Sequence, residues 1–109
     1  MVYLPQIETI RKDIPKDLLE GGFVEFYKEP TARLSLKMPS LDMGNMDDVS
    51  QILMGMIKDW NLTDKKEVKL PIDKNVFETM GSKLLIWLSN QVAEILNELE
   101  TPQKKSEPR

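Results

Sequence analysis

Asp42, Asn45, Asp47 and Asp48 lie close enough together to suggest a site for a hard cation. Their spacing lacks the alternating ligand positions and the closing Glu of a calcium loop. Helix capping explains the same residues: Asn45 as N-cap, with Asp47 and Asp48 in the first turn, where the helix dipole favours acids. Asp13 with Asp17, and Glu98 with Glu100, are paired carboxylates, but neither pair has an apolar surround to raise a pKa. Gly21-Gly22 and Gly44 match no phosphate-cradling pattern, and Lys65, Lys66 and Lys69 are interleaved with Asp64 and Glu67, as at a charged hairpin tip. The chain has no Cys and no His. That removes thiol nucleophiles, Cys zinc sites and the commonest general base. The expectation is a non-enzyme with no catalytic residue, metal or cofactor.

With 109 residues, 40% hydrophobic and 30% charged, the composition is that of a small folding domain. The net charge of -3, with Lys and Arg scattered among acids, argues against nucleic acid as a partner. No apolar run approaches the roughly 20 residues that cross a bilayer. Met1-Val2-Tyr3-Leu4-Pro5 does not resemble a signal peptide, so the expected location is the cytoplasm, away from membranes.

The elements expected around these residues are α+β, mainly helical, with one β-hairpin packed against about three helices. One domain over residues 1–100 and a flexible C-terminal tail over 101–109 are expected. Residues 1–20 are weakly patterned, with Leu4, Ile7, Ile10 and Ile14 as single anchors and a helical turn at Asp17–Glu20 closed by Gly21-Gly22. Phe23–Tyr27 is aromatic and β-branched, and Ala32–Met38 alternates with Leu34, Leu36 and Met38 on one face; the pair reads as a hairpin around Pro30. Met46, Val49, Leu53, Met56, Ile57 and Trp60 form an apolar stripe, predicting a helix over Met46–Asp59. Gly55 inside it costs roughly 1 kcal/mol relative to Ala, which a close backbone contact would explain. Asp73 caps a short helix from Lys74, and Gly81 or Ser82 separates it from the final helix. There Leu85, Leu88, Val92, Ile95, Leu96 and Leu99 share a face.

The connection Met56–Ile72 organises the rest. It joins the two strongly periodic segments, and Trp60, Leu62 and Leu70 give it apolar anchors, as if pinned to the domain. Leu84-Leu85-Ile86-Trp87-Leu88 is apolar all round its helix, and Ile86 and Trp87 fall off the main stripe, as does Met54 on the preceding helix. A helix apolar on every side must be covered on every side. The cover is either this chain's own hairpin and Trp60 loop, or another chain. Seven Met residues suit an adaptable binding surface. The residues assigned to partner binding are Ile86, Trp87, Met54, Trp60 and Leu62.

Three segments carry a family resemblance: Gly21-Gly22-Phe23-Val24-Glu25-Phe26, Lys58-Asp59-Trp60-Asn61-Leu62-Thr63-Asp64 and Leu70-Pro71-Ile72. In this order they resemble the tail assembly chaperones of long-tailed bacteriophages, over roughly Gly21 to Leu99. That family often has Gly in the turn after the acidic residue, where this chain has Lys65-Lys66-Glu67. The resemblance implies a non-catalytic protein of the host cell cytoplasm, absent from the mature virion. It would bind the long apolar tape measure protein, keep it soluble, help recruit tail tube protein and self-associate as a homo-oligomer. It also implies a longer frameshifted product, for which the segment around Lys104-Lys105 is a tolerable junction. The alternative is a small structural or adaptor subunit of the tail or head–tail connector that stays in the virion.

Overall fold

The computed structural model describes residues 1–106, and the side chains of residues 1–99. The order is β1 (Thr9–Asp13), α1 (Lys16–Leu19), β2 (Phe23–Tyr27), α2 (Ala32–Lys37), a 3₁₀ turn (Met38–Ser40), α3 (Met46–Met56), β3 (Ile57–Trp60), α4 (Lys74–Thr79) and α5 (Ser82–Ser106). The fold is α+β. Three antiparallel strands in the order β1-β2-β3 carry helices on one face. Val24, Phe26, Ile57 and Trp60 from the sheet meet Leu53 and Met56 of α3 and Leu88, Val92 and Ile95 of α5 in a single buried cluster.

The partner of β2 is not the segment expected. Ala32–Lys37 is helical, and the hairpin is formed by β1, with Ile10 opposite Phe26 and Lys12 opposite Val24. Two local features favour helix after Pro30. Thr31 is extended and its hydroxyl accepts the Leu34 N–H at 3.2 Å, as an N-cap does. Leu34 and Met38 are four apart, so they share a helix face as readily as a strand face. Leu36 discriminates: it is 85% exposed while Leu34 is buried, as helical spacing demands. In β1 the inward positions are Ile10 and Lys12, followed by the buried Ile14. A half-buried Lys at an inward position disguises the alternation. Leu4, expected to anchor, is exposed.

The helix predicted over Met46–Asp59 stops at Met56 and passes straight into β3, the Ile57 N–H bonding the Leu53 carbonyl. The sheet then has a phase problem. Trp60 pairs with Val24 and Asp59 with Glu25, so regular alternation would set Lys58 beside Phe26. A bulge places Ile57 there instead. One extra residue in β3 thus keeps Lys58 in water and buries Ile57.

Other local expectations hold. Asn45 Oδ1 accepts from Asp47 N and Asp48 N, and Asp73 Oδ1 accepts from Val76 N. Gly55 meets Leu34 closely: a Cβ there would stand 2.7 Å from Leu34 Cδ2. Helix α5 runs on through residues expected to begin the tail, as far as Ser106, and residues 107–109 lie outside the described residues.

Candidate interaction surface

The acidic residues at the start of α3 are engaged locally. Asp42 Oδ1 accepts from Gly44 N at 2.8 Å, Asp48 Oδ2 accepts from Asp42 N at 2.9 Å, and Asp47 is ion-paired with Lys74. That pair, first through its hydrogen bond, raises the Lys74 pKa above the usual lysine value. The tip after Trp60 is likewise self-contained. Asp64 Oδ1 accepts from Lys66 N and Val68 N, Thr63 bridges to Lys69, and Glu67 takes a positive φ of 63° in the turn. Lys69 also hydrogen-bonds Asp59, which, with the Trp60 backbone N–H, lowers the Asp59 pKa.

The five residues assigned to partner binding separate into two groups. Trp60 and Leu62 are core residues, Trp60 being only 1% exposed. The Trp60 indole N–H donates to the Leu70 carbonyl at 2.9 Å, and its ring meets Phe77 edge-to-face at 5.8 Å. Asn61 between them accepts from Phe23 N at 2.8 Å and donates to the Gly21 carbonyl at 3.0 Å. These contacts pin the connection and enclose Trp60, while Leu62, 5% exposed, reaches the surface only as part of a groove wall. The physical reason is that an indole N–H so near an orphan loop carbonyl is best satisfied inward.

Ile86, Trp87 and Met54 remain accessible. Ile86 is 57% exposed and Met54 46% exposed. Trp87 is partly buried, its ring in a tilted contact with Phe26 at a centroid distance of 6.4 Å. Met54 lines a cleft between α2 and α3 together with Arg33, Leu34 and Lys37. Ile86 and Trp87 do not line that cleft, so the accessible apolar residues form more than one patch.

No family model, curated protein or solved structure matches this chain. Its surface has to be read from its own chemistry. Among the described residues, no helix is long and apolar enough to cross a membrane.

Leu62 apart, two further apolar features lie outside the residues assigned to partner binding. Leu36 faces solvent because α2 is a helix, a placement that the Thr31 cap signal would have predicted. A groove of about 450 Å³ is lined by Leu19, Leu62, Leu70, Val76, Met80 and Leu84. These side chains come from distant parts of the chain, so no local signal marks it.

Proposed function

We propose that this chain is a tail assembly chaperone of a long-tailed bacteriophage. It is a non-catalytic binding protein that holds the tape measure protein in solution and helps recruit tail tube protein, in the host cell cytoplasm and not in the mature virion. The observation that carries the reading is the start of α5, where Ile86 is 57% exposed beside a partly buried Trp87. Trp is favoured at the centre of protein interfaces, and exposed Ile beside it extends the apolar area. The three family-like segments supply the choice of partner. They fall on β2, on β3 with the pinned connection, and on the approach to α4.

Co-expression with the tape measure protein encoded in the same genome tests the proposal. The expected result is a rise in soluble tape measure protein, co-purifying with this chain and reduced by Trp87→Ser. An unchanged soluble fraction overturns the chaperone reading. Mass analysis of purified virions tests the other half: many copies of the chain in finished particles would make it a structural subunit.

A further inference from the structure

We infer that the cleft between α2 and α3 is a docking groove for an apolar helix edged with acidic residues. The inference deepens the proposed function, and rests on it for the partner being a helix-rich protein. Leu34 and Met54 form the floor, Thr31 and Gln51 the sides, and Arg33 and Lys37 the rim of a cleft of about 270 Å³. The floor is firm, because Leu34 is seated against Gly55, where there is no room for a Cβ without displacing it. Met54 adds a flexible thioether that adapts to the shape of an incoming side chain.

Charge identifies the occupant. Arg33 and Lys37 are four residues apart, hence on one side of α2. Among the described residues neither forms an ion pair, and no acidic residue lines the cleft beside them. Two unpaired cations beside an apolar floor, on a chain of net charge -3, complement a segment carrying apolar and acidic side chains together. Both walls are helices, so the groove offers no strand edge for an extended peptide to pair with. A helix laying an apolar stripe on Leu34 and Met54, with Glu or Asp along its margin, satisfies both features.

The test uses two designed helical peptides of equal length and identical Leu stripe, one flanked by Glu and the other by Lys. Fluorescence anisotropy against the full chain should show the Glu peptide binding about tenfold more tightly at low salt. The preference should shrink at high salt and reverse in the variant R33E/K37E. Both side chains are exposed, so that variant is expected to retain the far-UV circular dichroism of the parent. Equal binding of the two peptides, binding of neither, or indifference to the charge reversal overturns the inference. So does a change in the oligomeric state of R33E/K37E without loss of peptide preference, which would make a second copy the occupant. Co-expression separates the two proposals. If R33E/K37E still keeps the tape measure protein soluble, the groove is not its site although the chaperone reading stands. If the peptides discriminate but the parent chain gives no such protection, the groove stands and the chaperone reading fails.

Discussion

The two tryptophans sit in opposite surroundings in sequence, Trp60 among polar residues and Trp87 in an apolar run, and their burial is the reverse of that setting. Trp60 ends β3 and is enclosed, its N–H bonded to the Leu70 carbonyl and its ring edge-on to Phe77. Trp87 lies one turn into α5 and is partly buried against Phe26, next to an exposed Ile86. The difference lies in how much chain is available nearby. Around Trp60, α4, the 61–72 connection and the sheet converge. Around Trp87 only Leu88 is fully buried; Leu84, Leu85 and Trp87 pack partly against the core and Ile86 is left in solvent, as a small domain with few layers leaves part of a helix uncovered. One tryptophan therefore serves as a fastening, while the other keeps part of its ring accessible.

The comparison is broken most directly at Trp60. Trp60→Ala should cost about 3–5 kcal/mol in chemical denaturation, because it empties a core site and strands the Leu70 carbonyl. Trp87→Ala should cost about 1–2 kcal/mol, the loss of one aromatic pair and partial burial. Equal losses at the two positions would mean that Trp87 is core after all. Asn61→Ala sharpens the same contrast. It removes the bonds to Phe23 N and Gly21 O, and because the site is solvent-accessible the loss should be about 0.5–1.5 kcal/mol. The pinned connection should then exchange its amide hydrogens faster while α5 is unchanged.

The smallest effect is expected from Asp59. Its pKa is depressed by the Lys69 hydrogen bond, so the pair stabilises the fold above the ordinary carboxylate value of 3.8 and is lost as pH falls through and below it. Asp59→Asn should lower Tm slightly at neutral pH, and the difference from the parent should vanish in acid well below 3.8. The pair is exposed, so added salt should erase most of the difference as well. A difference that persisted in acid would assign the effect to packing instead.

Elements governed by near neighbours were legible in the residue order. Asn45 and Asp73 cap helices because an acceptor placed there meets free N–H groups two and three residues on. The Gly55 contact and the anchoring of Trp60 were likewise foreseeable, since each left a residue of unusual type in an otherwise regular setting. The partner of β2 was not, because strand pairing joins residues far apart and Lys12 hides the alternation of β1. Ala32–Met38 fits both periods through Leu34 and Met38, and the Thr31 cap together with packing against Gly55 and Leu36 in solvent separates them. The bulge at Lys58, the groove floored by Leu34 and Met54, and the uneven cover of the two tryptophans also belong to the tertiary structure. Local hydrogen bonds and spacing specify a helix, whereas which face of it stays bare depends on how many other segments reach it.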